Sequence, residues 1–153
     1  MDIRKYKETD IEEIADLFYD TIHHINTKDY TEEQVNAWAS GNIDKGAWNR
    51  SFLEHYSIVV VEKGMLLGFG DVDNTGYLDR LFVHKDFQGK GVATCICNEL
   101  EMHIREQGVR KMVTHASITA RPFFEKFGFR VIKEQQVERK GILLTNFIME
   151  KLL

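Results

Sequence analysis

Residues 76–100 read GYLDRLFVHKDFQGKGVATCICNEL: an extended run from Tyr77 to Val83, a short glycine-bearing turn from Gln88 to Thr94, and then a helical pattern. The helix follows from Ala93, Ile96, Cys97, Leu100 and Ile104, which recur at the i, i+3, i+4, i+7, i+11 spacing of one buried face, and Gly108 closes it. A strand that ends in a glycine turn and opens directly into a helix gathers unpaired backbone N–H groups and the positive end of the helix dipole at one spot. The expected occupant of that spot is an anion.

The glycine spacing discriminates among phosphate-binding layouts. A Walker A loop runs Gly-x-x-x-x-Gly-Lys-Ser/Thr, whereas Lys90 lies between Gly89 and Gly91, and Val92 follows the second glycine. A dinucleotide fingerprint, Gly-x-Gly-x-x-Gly, needs a glycine where this chain has Thr94, and no first strand of a repeated β-α-β unit precedes the turn. The pattern that fits is Gln-x-x-Gly-x-Ala, from Gln88 to Ala93.

That pattern resembles the acetyl-coenzyme A loop of the GNAT N-acetyltransferase superfamily, Gln/Arg-x-x-Gly-x-Gly/Ala after a strand ending in a valine-containing run. Downstream, Ser117 and the stretch ARPFFEKFGF from Ala120 to Phe129 resemble the family's second landmark, an Ala-x-x-Phe-Tyr-Glu-Lys-x-Gly-Phe helix and turn. The two motifs stand in the family's order and separation. The similarity extends loosely over nearly all the chain, including an N-terminal region with Tyr30 and Trp38 like that of YafP-type bacterial members.

The resemblance implies a mixed α/β fold with a mostly antiparallel, centrally splayed sheet, and acetyl transfer from acetyl-coenzyme A to a primary amine in a ternary complex without a metal. The pyrophosphate then falls to the N–H groups of Gln88, Gly89, Lys90, Gly91, Val92, Ala93 and Thr94, where the glycines lack a Cβ that would block close approach. The pantetheine arm pairs like a short strand with the backbone of Leu81, Phe82 and Val83, the Val83 N–H polarising the thioester carbonyl. Ser117 takes the place of the family's usual asparagine, Phe124 lies near the thioester, and Lys90 and Arg121 are placed to meet phosphates; His84 and Lys85 have weaker claims. Phe124 departs from the family, which commonly has a tyrosine there that protonates the leaving thiolate. Without that hydroxyl the proton comes from water or another residue, or the chain binds the cofactor without efficient transfer.

An amine with a lysine-like pKa of about 10 is nearly all protonated at neutral pH, so its attack calls for a base. Asp79 is the first candidate: by strand alternation it shares a face with Leu81 and Val83, and a lone carboxylate in an apolar strand needs a reason. A salt bridge or a solvated sheet face accounts for it equally well. His115, at the end of the following strand, is the second candidate, with an ordinary surface or core histidine as the alternative. Trp38, Trp48 and Tyr30 are candidates to line an acceptor pocket, with core packing as the competing reading.

Composition bounds the rest. The 153 residues, 43% hydrophobic and 29% charged, suit one globular domain spanning 1–153. No apolar run approaches the roughly 18 residues of a membrane span and no leader pattern opens the chain, so a cytoplasmic protein is expected, with no membrane partner. Cys95 and Cys97 project from different helix faces, which suits neither a disulfide nor a shared metal; Cys97 reads as core and Cys95 as a free thiol. Residues 1–54 carry 6 Lys and Arg against 12 Asp and Glu, the remainder 14 against 12. In the resembling family the first helices form the acceptor side, so an acidic N-terminal third suits a cationic small-molecule amine or a peptide acceptor, with solvated helix faces an equally good explanation; a pI near 5.9 argues against nucleic acid. A homodimer is compatible with the resemblance. Three other readings stand beside the small-amine enzyme: a coenzyme A-binding regulatory module, an acyltransferase acting on a protein or peptide, and an unrelated domain preferring ATP or NAD.

The pattern places a strand over residues 2–7 and a helix after a capping signature Thr9-x-x-Glu12, carrying Ile11, Ile14, Ala15, Phe18, Ile22 and Ile25. A second signature, Thr31-x-x-Gln34, opens a helix that Gly41 ends, and residues 47–56 form a third. Strands are expected at 57–62, 66–72, 77–83, 111–116, 129–138 and 142–150, with a hairpin turn at Lys63-Gly64 and a short helix over 120–127.

Overall fold

A computed structural model describes residues 1–153. Its strands β1 (Asp2–Lys5), β2 (Tyr56–Glu62), β3 (Met65–Val72), β4 (Tyr77–Val83), β5 (Lys111–Ser117), β6 (Arg130–Arg139) and β7 (Ile142–Leu152) form one sheet in the order β1-β2-β3-β4-β5-β7-β6. Every pairing is antiparallel except β4 with β5. The helices are α1 (Ile11–His24), α2 (Glu32–Trp38), α3 (Lys45–Glu54), α4 (Val92–Glu106) and α5 (Arg121–Lys126). The mixed α/β architecture with a mostly antiparallel, splayed sheet is therefore the one the sequence led us to expect.

Strand alternation sends side chains to two cores. Ile58 and Val60 of β2 pack with Ile96, Cys97, Leu100 and Ile104 of α4, while Val59 between them packs with Ile14, Phe18 and Ile22 of α1 on the other face. The helix α4 approaches closely because β3 presents Gly68 and Gly70 beneath it: a Cβ on Gly70 would lie 2.7 Å from the Ile96 side chain and 3.0 Å from the Arg80 carbonyl oxygen.

Two local devices differ from expectation. Thr9 and Glu12 form no cap: the chain leaves β1 at Lys5 and enters a 3-10 turn, Glu8–Asp10, in which the Asp10 carboxylate accepts the Lys7 N–H at 2.8 Å and both Arg4 guanidinium nitrogens at 2.9 and 2.8 Å. That carboxylate closes the 3-10 turn ahead of α1 with charge-assisted bonds, and no side chain caps α1 itself. The helix α3 starts earlier than residue 47 because the Asp44 carboxylate accepts the Ala47 N–H, and it ends at Glu54 so that Tyr56 opens β2. The Thr31–Gln34 box is formed as read, each side chain accepting the other's backbone N–H at 3.1 and 2.9 Å.

The sheet opens at its middle. Asp71 pairs with Arg80 and Val72 with Leu78, so Asp79 is the extra residue of a bulge in β4. Parallel pairing with β5 covers only Tyr77 with Val113 and Leu78 with Thr114, although β4 runs on to Val83 and β5 to Ser117. The buried Thr114 hydroxyl donates to the Leu78 carbonyl at 2.9 Å at the last joined position. Beyond it the strands diverge.

Gly70→Ala is expected to lower unfolding free energy by about 1–3 kcal/mol through overpacking against Ile96, read from the midpoint of urea denaturation. An unchanged midpoint would show that α4 does not depend on this close approach.

Candidate functional site

The divergence of β4 from β5 exposes backbone. The His84 N–H donates across to Leu67 of β3 at 2.8 Å, so by the alternation of an antiparallel ladder Phe82 and Arg80 also turn their peptide groups toward β3. Leu81 and Val83 turn theirs into the opening. The Val83 carbonyl is already held by the Thr21 hydroxyl at 2.9 Å and the Gln88 side-chain amide at 2.8 Å, which leaves the N–H groups of Leu81 and Val83 and the Leu81 carbonyl as the open edge. Phe82 therefore corrects the sequence reading: its peptide belongs to the sheet, and its ring lies among Phe18, Phe69 and Trp38 on the α1 face.

At the mouth of this opening, Gly91 caps α4 with φ of +83° and no side-chain acceptor, and the first intrahelical bond there is from the Cys95 N–H to the Gly91 carbonyl. The N–H groups of Val92, Ala93 and Thr94 thus lie at the positive end of a 15-residue helix without intrahelical partners. A Cβ on Gly89 or Gly91 would meet no protein atom within 4 Å, so the space over them is open. Gln88 spends its side chain pinning the loop to the end of β4.

A cavity of about 910 Å³ joins the α4 N-terminus, the open edge of β4 and the α1 face. Of the residues singled out in the sequence, Asp79, Leu81, Phe82, Val83, Gln88, Gly89, Gly91, Val92, Ala93, Thr94, His115, Ser117 and Phe124 line it. Lys90 and Arg121 do not. Lys90 is exposed, and Arg121 stacks its guanidinium 4.6 Å from the Phe147 ring and pairs with Glu125 at 3.2 Å. The Ser117 hydroxyl oxygen accepts the Ala120 N–H at 3.0 Å, fixing the turn into α5. Phe124 is 2% exposed, packed against Phe123 and Phe129, and contributes only an edge to the wall.

Asp79 is displaced from the face it was expected to share with Leu81 and Val83. Those two pack toward α4, whereas the bulge reverses the alternation and sets Asp79 beside Arg80, Asp71 and His55 on the other side. Its carboxylate lies 3.4 Å from the Arg80 guanidinium, with 31% of the side chain exposed. Arg80 is itself immobilised: it donates to Asp71 and to the Ser51 hydroxyl, each at 2.7 Å, and lies over the rings of Phe52 and Trp48 at 4.4 and 5.0 Å. His115 packs edge-on against Tyr77 at 5.3 Å on the β5 wall. Trp38 and Trp48 both line the cavity and both pack in the α1-face core. Tyr30 also lines it, but its hydroxyl donates to the Thr145 carbonyl and accepts the Ile118 N–H, a structural clasp.

Three residues escaped the sequence reading. Asp71 is wholly buried and binds His55 and Arg80 through one oxygen, each at 2.7 Å, leaving the other without a partner. Asn146, opposite Ser117 in register, lines the cavity with its carbonyl oxygen buried and unpaired. Asp71 was findable, because a carboxylate in the apolar run 66–72 raises the same question as Asp79; His55 and Asn146 carry no local signal. Burial raises the Asp71 carboxyl, against the pull of His55 and Arg80, and the His55 imidazole is raised chiefly by its hydrogen bond to Asp71. The Cys97 thiol, sealed in the α4 core, is pushed by burial to about 12, whereas Cys95 is partly exposed and free. No helix is long and apolar enough to cross a membrane.

A family model described as an acetyltransferase (GNAT) domain matches residues 26–151. The chain is 31% identical over 148 residues, 96% of its length and 93% of the relative's, to the uncharacterized N-acetyltransferase YafP of Escherichia coli strain K12. Its fold matches that of a GCN5-related N-acetyltransferase from Rhodopseudomonas palustris with a TM-score of 0.95 and 29% identity, covering 99% of this chain and 95% of that one. It also matches PaiA N-acetyltransferase from Thermoplasma acidophilum, solved with coenzyme A, with a TM-score of 0.81, 19% identity and coverage of 99% and 98%.

The His55 shift has a consequence for stability. A pKa raised above the unfolded value of 6.5 means that the stabilisation is full below about pH 6.5 and is lost as pH rises through the folded value. Thermal denaturation of the parent and His55→Gln is expected to show its largest difference in Tm below that pH and a narrowing difference above it. A constant gap would mean that the imidazolium is not what Asp71 holds.

Proposed function

The chain belongs to the GNAT acetyltransferase family and is an enzyme of that type; on this premise we propose that it transfers acetyl from acetyl-coenzyme A to a primary amine by direct attack within a ternary complex, residues 1–153 acting as one domain. The observation that carries the reading is the single cavity in which an anion cradle, an open strand edge and a lone carboxylate follow one another. The unpartnered N–H groups at the start of α4 suit a pyrophosphate, and the open space above Gly89 and Gly91 admits it to backbone distance. An extended amide-bearing arm pairs with Leu81 and Val83, and the unpaired Asn146 carbonyl is an acceptor for an N–H of a ligand in the same cavity. The residues present therefore fit acetyl-coenzyme A as cosubstrate.

In this reading the acceptor enters from the α1 face, where Phe18, Trp38, Trp48 and Phe82 offer apolar walls and Asp79 the negative charge. That combination favours a primary amine on an apolar or aromatic body, free or at the end of a peptide side chain. Asp79 takes a proton from the ammonium, so that an N–H bond breaks and a carboxyl O–H forms. The freed nitrogen attacks the thioester carbon, the Val83 N–H stabilises the developing oxyanion, and the C–S bond breaks. The nitrogen, cationic after its attack, loses its second proton to water as the amide forms, and because Phe124 has no hydroxyl to give, water returns a proton to the thiolate; a thiol pKa of about 8.5 makes that a tolerable leaving group near neutral pH. His115 lines the β5 wall of the same space and is the reserve base.

Gly91→Val is expected to raise the dissociation constant for acetyl-coenzyme A at least about tenfold, since a branched side chain fills the cradle and opposes the positive φ. Unchanged affinity in calorimetry would remove the cradle from the account. Asp79→Asn should lower kcat/KM near pH 7 by about 10²-fold in a thiol-release assay, the deficit closing toward pH ~10 as free amine becomes abundant. Parent-like rates at pH 7 would exclude Asp79 as the base.

A further inference from the structure

We propose that His55, held by Asp71, is the proton outlet of the active site: it receives the proton that Asp79 takes from the amine and releases it into a second cavity. This rests on Asp79 as the base, as read above. Asp79 lines the reaction cavity, and His55 lines a separate cavity of about 410 Å³ together with His103, Asp73 and Gln107; the two cavities share no lining residue. Between them lies Asp71, 0% exposed. Ligating atoms of His55, Asp71 and Asp79 lie within 4.8 Å of one another, a gap that one water spans.

The chemistry of the cluster argues against its two simpler roles. As a cation site it is already neutralised, because the Arg80 guanidinium lies 2.7 Å from Asp71 and 3.4 Å from Asp79. As a purely structural ion pair it is costly. Asp71 leaves one buried oxygen without a partner, and replacing a buried pair by apolar groups is often neutral or stabilising. A proton path explains why charge is kept there.

The step balances without any further reactant. The Asp71 carboxylate accepts from His55 Nδ1, which leaves the Nε2 lone pair of the neutral ring free to bind a proton. The Asp79 carboxyl passes its proton through intervening water to Nε2, restoring the carboxylate for the next turnover. The imidazolium then loses a proton to solvent in the second cavity. One proton moves from amine to bulk in each cycle. The groups facing His55 are Asp71 on β3 and Asp73 just beyond its end, Asp79 and Arg80 on β4, Glu54 beside it on α3, and His103 on α4. Acids outnumber bases among them, so the imidazolium is stabilised yet reaches water.

Two measurements on the full chain test this. In the first, histidine ring resonances are titrated by NMR in the parent and in Asp79→Asn; loss of the neighbouring negative charge is expected to lower the His55 pKa by about half a pH unit. An unmoved His55 titration would overturn the proposal. In the second, thiol release is followed against pH for His55→Gln and His55→Ala, with acetyl-coenzyme A affinity as the control for folding. The expected result is a roughly tenfold fall in kcat, loss of the His55-governed part of the rising pH limb, and partial recovery of His55→Ala by added imidazole. A uniform loss at every pH without imidazole rescue would assign His55 to structure alone. Should Asp79→Asn be inactive while His55 titrates independently, the relay fails and the base stands; should Asp79→Asn keep full rate at pH 7, both fail.

Discussion

The structure turns on one extra residue. Asp79 has no partner of its own on β3, and the strand leaves β5 immediately after Leu78. A bulge bends its strand and increases local twist, so a single inserted residue accounts for both the reversal of faces and the parting of the sheet. Everything functional then follows by position. The peptide edge of Leu81 and Val83 is left open, the loop from Gln88 delivers the N-terminus of α4 to one end of the gap, and the inserted carboxylate faces the other.

The two ends of the resulting cavity present different groups. At the α4 end the attraction comes from backbone N–H groups and a helix dipole, not from the lysine and arginine that the sequence offered; Lys90 is exposed and Arg121 is occupied by Phe147 and Glu125. Toward the α1 face the cavity holds Asp79, its one carboxylate, beside an Arg80 that is fixed by Asp71, Ser51 and the aromatic pair Phe52 and Trp48 and lies 3.4 Å from Asp79; Arg139 and Lys140 also line the cavity.

Much of this was legible in the chain because it is local. The period of Ile96, Leu100 and Ile104, the Thr31–Gln34 box, the Lys63-Gly64 turn and the run from Gln88 to Ala93 are all settled within a few residues, and each was read at nearly its observed bounds. What failed depends on parity or on distance. Alternation assigns Asp79 to the Leu81 face unless the bulge is known, and the bulge is set by pairing with β3, not by anything in β4 alone. The same ladder turns the Phe82 peptide inward. His55 and Asp71 are separated by a whole hairpin strand, so their 2.7 Å contact has no trace in sequence, although the lone carboxylate at Asp71 was a visible anomaly. Thr9 has no capping role because the chain enters α1 through a 3-10 turn, closed by the Asp10 carboxylate on the Lys7 N–H and held by Arg4, six residues away.

The central claim is that this cavity holds acetyl-coenzyme A against an amine. Its most direct test is calorimetric titration of the purified chain with acetyl-coenzyme A, with ATP and NAD as controls, followed by thiol release across a panel of aliphatic, aromatic and peptide amines in the same preparation. The account predicts selective binding of acetyl-coenzyme A and thiol release that depends on a primary amine, with apolar-bodied amines foremost. Absence of acetyl-coenzyme A binding, or preference for ATP or NAD, would contradict it.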